Sequence, residues 1–191
     1  MTGLSKRSNE DLYRLIKKGD RGALGELYER LEPGLYRYTL YVCGSKAVAE
    51  EIVQDVFLRL IGPGIPYDEQ RGSLEAYLYG VARNLLRMRP AVMALDDAPE
   101  PSTAEDTLRD LISDERTEAL LEAVQELPAG YRDAVVLCDL EERNYEDAAL
   151  VMGCPVGTVR SRLHRARALL TAKLRWLRAA GQEQGKVLRG R

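Results

Sequence analysis

Residues 154–167, CPVGTVRSRLHRAR, form the stretch of the chain whose side chains are best suited to ionic binding. This stretch holds four arginines and the single histidine of the chain, and it contains no acidic residue. Arginine side chains form bidentate hydrogen bonds with phosphate groups and with the edge of guanine, so the composition favours binding to a nucleic acid. The alternative that the charge alone leaves open is a solvated basic face on an ordinary amphipathic helix.

The charges are segregated along the sequence, although the formal net charge of the chain is only −2. Residues 1–95 carry 14 Lys and Arg against 12 Asp and Glu, and residues 96–147 carry 4 against 17. Residues 148–191 carry 10 Lys and Arg against a single acid. This pattern indicates a basic end that binds a polyanion and an acidic middle that repels or imitates one.

Helical periodicity predicts the elements that position these charges, and the alternation typical of β-strands is scarce. We therefore expect an all-α fold with two small helical domains, at residues 10–90 and 116–178. A proline-rich acidic segment between them predicts a flexible linker at residues 91–115. Residues 179–191 are expected to form a flexible tail.

A helix-turn-helix is predicted by the segment YEDAALVMGCPVGTV, which begins at Tyr145. Ala149 allows close contact between the helices, Gly153 supplies the positive φ of the turn, and Pro155 suits the first position of the second helix. The second helix is expected to bury Val159, Leu163, Ala166 and Leu170.

The opposite face of this second helix carries the candidate DNA-binding side chains. A helix with such a face fits the major groove, where arginine binds guanine and flanking arginines bind phosphates. Arg162 and Arg167 are the predicted flanking residues. The complete predicted set is Thr158, Arg160, Ser161, Arg162, His164, Arg165 and Arg167.

A second candidate surface lies in the segment AEEIVQDVFLRL. Its apolar stripe is expected to be buried and consists of Ile52, Val53, Val56, Phe57 and Leu60. The outer face then presents Glu51, Gln54, Asp55 and Leu58. Acidic groups around an apolar side chain fit a basic partner helix, and an ordinary solvated face is the alternative.

A third candidate surface lies in RGSLEAYLYGVARNLLRMR, where aromatic and basic residues are interleaved. Aromatic rings stack on unpaired bases while cations follow the phosphates, so the segment favours binding to a melted or single strand. The alternative is a pair of core tyrosines with their hydroxyls at the rim. The candidate residues are Arg71, Tyr77, Tyr79, Arg83 and Asn84.

Several other functions are not expected. The cysteines Cys43, Cys138 and Cys154 lie far apart and there is one histidine, so we predict no metal site, no cofactor and reduced thiols in a cytoplasmic protein. No nucleotide-binding or hydrolase motif occurs, and no catalytic residue is predicted. No apolar run reaches the roughly 20 residues that span a bilayer, so membrane insertion is not expected.

Taken together, the three segments in this order resemble a bacterial RNA polymerase sigma factor of the sigma-70 family, in its extracytoplasmic function (ECF) group. AEEIVQDVFLRL resembles the helix that binds core polymerase, and RGSLEAYLYGVARN resembles the segment that melts and reads the −10 element. NYEDAALVMGCPVGTVRSRLHRAR resembles the domain that reads the −35 element. The resemblance covers residues 10–90 and 116–178.

The resemblance implies a non-enzymatic initiation subunit whose partners are promoter DNA and core RNA polymerase, through its β subunit and the coiled coil of β′. Glu51 and Asp55 would face that coiled coil, Asn84 would hold an unstacked −10 base, and the linker would thread toward the active-site cleft. An anti-sigma factor is a further implied partner. The chain departs from the family pattern at Tyr77, where the family has Trp, and at Gly80, where it has a basic residue.

Two other functions remain open from the residues alone. One is a stand-alone helix-turn-helix regulator that binds operators without polymerase. The other is an interaction protein that titrates polymerase. Mixing the protein with core polymerase separates all three, because only a sigma factor supports promoter-specific transcription.

Overall fold

The computed structural model describes residues 3–62, 67–89 and 115–175, and every regular element in these ranges is helical, which confirms the predicted all-α fold. The N-terminal part consists of α1 (Asn9–Lys17), α2 (Arg21–Cys43), α3 (Lys46–Ile61), a 3-10 turn (Glu69–Arg71) and α4 (Leu74–Met88). The C-terminal part consists of α5 (Glu115–Gln125), α6 (Ala129–Val135), a π-helical turn (Val136–Leu140), α7 (Tyr145–Met152) and α8 (Val156–Lys173).

Capping side chains explain where the N-terminal helices begin. Ser8, Asp20, Ser45 and Ser73 precede α1 to α4, and each side chain accepts a hydrogen bond from a backbone N–H in the first turn. Each such cap stabilises its helix by about 1 kcal/mol. Gly44 ends α2 in the left-handed region, at φ 74°, where glycine has no Cβ to clash.

The N-terminal core lies where the first four helices meet. Its fully buried side chains include Leu12, Leu27, Leu35, Tyr38, Ile52, Val56, Leu74 and Leu78. The stripe predicted on α3 is confirmed, because all five of its members are buried. Burial of this stripe turns the other face of α3 toward solvent.

The predicted helix-turn-helix is formed by α7 and α8. Gly153 caps α7 at φ 61°, and the Cys154 N–H donates to the Ala149 carbonyl at 3.1 Å, which closes the turn. The prediction for Pro155 is wrong by one position. Pro155 is extended, with φ −60° and ψ 148°. It is therefore the N-cap residue of α8, which begins at Val156.

The buried face predicted for α8 is confirmed. Val159, Leu163, Ala166 and Leu170 are all buried, against a core that includes Val124 and Leu137. Because these four residues recur at spacings of three and four, they fix the rotation of α8 about its axis. Arg160, Ser161, His164 and Arg165 therefore point away from the core.

The two parts of the chain pack against each other, which the sequence did not predict. Helix α4 contacts α7, and α2 contacts both α5 and the π-helical turn. Across this contact the Arg132 guanidinium donates to the Val42 carbonyl at 2.6 Å. The predicted linker, apart from Glu115, and the predicted tail lie outside the described residues.

Two further features of the fold concern the state of its cysteine thiols and the lengths of its helices. All three cysteines are free thiols. Burial raises the pKa of Cys43, and burial together with the charge of Asp139 raises the pKa of Cys138 to about 11, so both thiols keep their protons at neutral pH. In the described ranges, no helix has both the length and the apolar character needed to cross a membrane.

Candidate nucleic-acid interface

The outer face of α8 presents a row of exposed polar side chains. Arg160, Ser161, His164 and Arg165 are all exposed, and Thr158 is half-buried. They lie on the side opposite the buried stripe, near the N-terminal half of the helix. The structure therefore brings these five predicted residues together on one surface.

Neighbouring residues hold parts of this face in place. The Ser161 hydroxyl donates to the Thr158 carbonyl at 3.0 Å, which leaves its oxygen able to accept another hydrogen bond. The Tyr131 hydroxyl is a hydrogen-bond partner of Arg165, and this contact is the main cause of the raised pKa of Arg165. Both arrangements restrict the conformations that these two side chains can adopt.

The two predicted phosphate-binding arginines have different surroundings. Arg167 is exposed and forms a bidentate ion pair with Asp139, with Nε–Oδ2 at 2.9 Å and Nη2–Oδ1 at 2.5 Å. Arg162 is half-buried and lines a cavity between the two parts of the chain, where it lies beside Gly130 and Cys154. Arg162 therefore lies farther from open solvent than the residues of the outer face.

The outer face of α3 carries the predicted polymerase-binding residues. Glu51, Gln54 and Leu58 are exposed and Asp55 is half-buried. Leu58 stands out among them, because 60% of this large apolar residue is accessible to solvent. Glu51 forms an ion pair with Arg89, the residue that follows α4. Glu51, Gln54 and Asp55 thus form one acidic surface on the same face of α3 as the exposed Leu58.

Three of the predicted −10 residues line a common cavity. This cavity measures 310 Å³ and lies between α4 and the loop that precedes it. Its lining includes Tyr67, Asp68, Arg71, Gly72, Tyr77, Asn84 and, from α7, Leu150. Polar groups and an aromatic ring therefore surround a space open to solvent.

Tyrosines that contact one another build one wall of this cavity. The rings of Tyr67 and Tyr77 lie 5.6 Å apart between centroids, and Tyr13 meets the Tyr67 ring edge-on at 5.5 Å. Burial, reinforced by nearby acids, raises the pKa of Tyr67 to about 12. Its hydroxyl stays protonated and donates to the Gly72 carbonyl at 2.7 Å. Sequence reasoning missed Tyr67, although its place in a Gly- and Pro-rich loop before α4 is a usable signal.

The other two predicted −10 residues point elsewhere. Tyr79 is 1% exposed, and its hydroxyl contacts Glu141 Oε2 at 3.2 Å. Arg83 is also buried, and its Nε donates to Asp133 Oδ2 at 2.6 Å. Tyr79 and Arg83 therefore lie on the face of α4 that meets the C-terminal part, apart from the three candidates that line the cavity.

Two family models match the chain. The model described as Sigma-70 region 2 matches residues 27–89, and the one described as Sigma-70, region 4 matches residues 117–170. The first range holds the α3 surface and most of the cavity. The second holds the helix-turn-helix.

Similar proteins agree with these matches. The ECF RNA polymerase sigma factor SigC of Mycobacterium tuberculosis is 32% identical over 162 residues, which are 81% of this chain and 85% of SigC. The ECF RNA polymerase sigma factor SigE of Mycolicibacterium smegmatis is 34% identical over 160 residues, covering 78% of this chain and 62% of SigE. A solved structure of CnrH in complex with the cytosolic domain of CnrY has a TM-score of 0.61 at 25% identity, covering 87% of this chain and 96% of the solved one.

The helix-turn-helix fold and the matched regions define a DNA-binding subunit of the transcription machinery. The chain belongs to the ECF group of the sigma-70 family, and it directs transcription initiation by RNA polymerase without being an enzyme. Of the three functions that the residues alone left open, this membership selects the sigma factor.

Proposed function

We propose that this sigma factor reads the −35 element with the outer face of α8. The observation that carries the proposal is the row Arg160, Ser161, His164 and Arg165, exposed above a fully buried stripe. A helix with this division fits the major groove, where arginine discriminates guanine by two hydrogen bonds. Arg167 and Arg162 contact phosphates beside it, once Arg162 turns out of its cavity.

The −10 element is read in the cavity beside α4. An unstacked base of the non-template strand enters the cavity, stacks on Tyr77 and is held by Asn84, while Arg71 pairs with a phosphate. This is supported by the shared cavity of these three side chains, which combines a ring, an amide and a cation. Tyr79 and Arg83 contribute when the C-terminal part no longer covers them.

Helix α3 docks on the coiled coil of the β′ subunit. Glu51, Gln54 and Asp55 face basic groups there, and Leu58 enters an apolar site. The support is the 60% exposure of Leu58 within an acidic surface, because such a residue surrounded by charge is typical of a docking surface.

A protein partner is also expected to bind this sigma factor and to keep it from RNA polymerase. CnrH, which is 25% identical, was solved in complex with the cytosolic domain of CnrY. We infer a comparable partner for this chain, an anti-sigma factor. Its contacts are expected on the surfaces that polymerase and DNA use.

Transcription from a randomised promoter library tests the proposal. The protein is combined with core polymerase, and templates that yield RNA are sequenced. We expect two enriched sequence blocks, of which Arg160→Ala changes only the upstream one and Asn84→Ala only the downstream one. A variant pair that alters both blocks alike, or neither, would contradict the division of labour between α8 and the α4 cavity.

A further inference from the structure

We propose that a nucleoside polyphosphate binds in the cavity beside Arg162, here called the arginine cavity. Residues of α2, α4, α6 and α8 line this cavity, which is separate from the cavity of Tyr77 and Asn84. Its volume is 670 Å³, within the range of about 300–1,000 Å³ that is typical of small-molecule sites. The inference does not depend on the promoter contacts proposed above. The charged residues of the lining are Arg83, Arg87, Arg89, Arg132, Asp133 and Arg162.

The positive charge of the arginine cavity is only partly balanced. The lining holds five arginines and one aspartate, a formal charge of +4. Arg83 pairs with Asp133 at 2.6 Å, and Arg89 pairs with Glu51. Within residues 3–62, 67–89 and 115–175, the other three arginines form no ion pair with an acidic side chain. An anion that enters the cavity therefore meets three positive charges without acidic partners.

Arg132 is one of these three, and backbone groups hold its side chain. Its guanidinium donates to the carbonyls of Val42 at 2.6 Å and of Leu127 at 3.1 Å, and also to the carbonyl of Gln125. Burial lowers the pKa of Arg132, because removal from water disfavours the charged form. A bound anion would favour that charged form, so its binding and the charge of Arg132 support each other.

Arg87 and Arg162 supply two further guanidinium groups. Arg87 lies in the last turn of α4 and is exposed. The Arg162 Cζ lies 3.4 Å from the position that a Cβ on Gly130 would occupy, and its Nη1 lies 3.9 Å from the Cys154 sulfur. Guanidinium groups present paired N–H donors that match the oxygens of a phosphate. Phosphate groups therefore fit these residues in both charge and geometry.

Apolar side chains line the rest of the arginine cavity. They are Val42, Val48, Leu86 and Met152. Small-molecule sites typically combine such apolar walls with a few polar groups that fix the orientation of the ligand. Inorganic phosphate would leave these walls uncovered, whereas the base of a nucleotide can pack against them. The lining thus favours a nucleoside polyphosphate over free phosphate.

Isothermal titration calorimetry of the full chain with ATP and with GTP tests the proposal. In about 0.15 M salt without divalent cations, we expect saturable binding of at least one of them and none of adenosine or guanosine. Pyrophosphate should bind more weakly, because it lacks the part that packs on the apolar walls. Saturable binding of neither triphosphate would overturn the site, and equally tight binding of pyrophosphate would overturn the role of the apolar walls.

Variants locate the bound nucleotide. Arg87→Gln and Arg162→Gln should each weaken its binding about 10-fold, which is typical for the loss of one charge-assisted contact. Arg59→Gln is the matched control, because Arg59 is an exposed arginine in the last turn of α3, outside the lining. Equal affinities of the Arg87 and Arg59 variants would contradict the proposal. Weakening by Arg160→Gln as large as that by Arg87→Gln would place the nucleotide on the outer face of α8 instead.

Alkylation of the cysteines by iodoacetamide gives a readout that needs no variant. Cys43 and Cys154 line the arginine cavity, whereas Cys138 lies in the π-helical turn, outside this lining. The tighter-binding triphosphate, at saturation, should slow alkylation of Cys43 and Cys154 severalfold and leave the rate at Cys138 unchanged. Mass spectrometry of tryptic peptides measures the three rates. Equal effects on all three cysteines, or no effect on any, would overturn binding in this cavity.

Discussion

The Arg160 guanidinium lies 5.3 Å from the centroid of the Tyr145 ring, so the first residue of α7 supports a side chain on the outer face of α8. A cation–π contact of this kind restrains the arginine without occupying its N–H donors. The N–H donors of Arg160 therefore remain available to a base edge, and the Tyr145 ring already orients the guanidinium.

Replacing Arg160 by Ala should reduce discrimination at one −35 base pair by about 1–3 kcal/mol, because a bidentate contact is lost. Transcription competition between wild-type promoters and single-base −35 variants measures the effect. Tyr145→Leu should give a smaller loss at the same base pair, since it removes only the support of the ring.

The matched control is Arg167→Ala on the flank of the same helix. It should weaken binding to all sequences alike and reduce the slope of log affinity against log salt by about 1. If Arg160→Ala left the −35 preference unchanged, the assignment of the outer face of α8 to base reading would be wrong.

Asp55→Arg should abolish association with core polymerase while leaving the fold intact. Asp55 lies on the outer face of α3, off the buried stripe, so its replacement should change the free energy of unfolding by no more than about 0.5 kcal/mol. Co-elution with core polymerase in gel filtration measures association. The control is Glu29→Arg, an equal charge change at an exposed position on α2. Normal co-elution of the Asp55 variant would refute the docking surface.

Local patterns predicted those parts of the fold that depend on neighbouring residues. The stripe of α3, the face of α8 and the turn at Gly153 follow from spacing and from the conformational freedom of glycine. The direction in which Tyr79 and Arg83 point does not follow from local spacing. It depends on Glu141 and Asp133, which lie 62 and 50 residues away in sequence. The sequence shows the acidic charge of residues 96–147, but it does not show that Glu141 and Asp133 contact Tyr79 and Arg83 of α4.

The stability of the folded chain should fall at alkaline pH, in part through Cys138. Burial holds the pKa of this thiol at about 11, above the ordinary thiol value of about 8.5. The folded state thus keeps a proton that the unfolded chain loses, so this contribution is complete below about pH 8.5 and is lost as the pH rises toward 11.

Cys138→Ala should therefore lose less stability than the wild type between about pH 8 and about pH 10.5. Urea unfolding at both pH values gives the two differences, and each protein serves as its own reference. Buried tyrosines contribute equally to both proteins and cancel. Equal losses in the two proteins would show that Cys138 does not contribute.

Two glycines of α2 offer a matched test of the contact between this helix and the buried Tyr79 side chain. A Cβ at Gly34 would lie 2.5 Å from the Tyr79 hydroxyl oxygen and 3.4 Å from Glu141 Oε2, whereas a Cβ at Gly25 meets nothing within 4 Å. Both changes to alanine gain up to about 1 kcal/mol of helix propensity. Gly25→Ala should therefore stabilise the protein, and Gly34→Ala should destabilise it by about 1–3 kcal/mol, because the buried Tyr79 ring must move. Urea denaturation of the two variants measures the difference, and equal stabilisation by both would contradict the close approach of α2 to Tyr79.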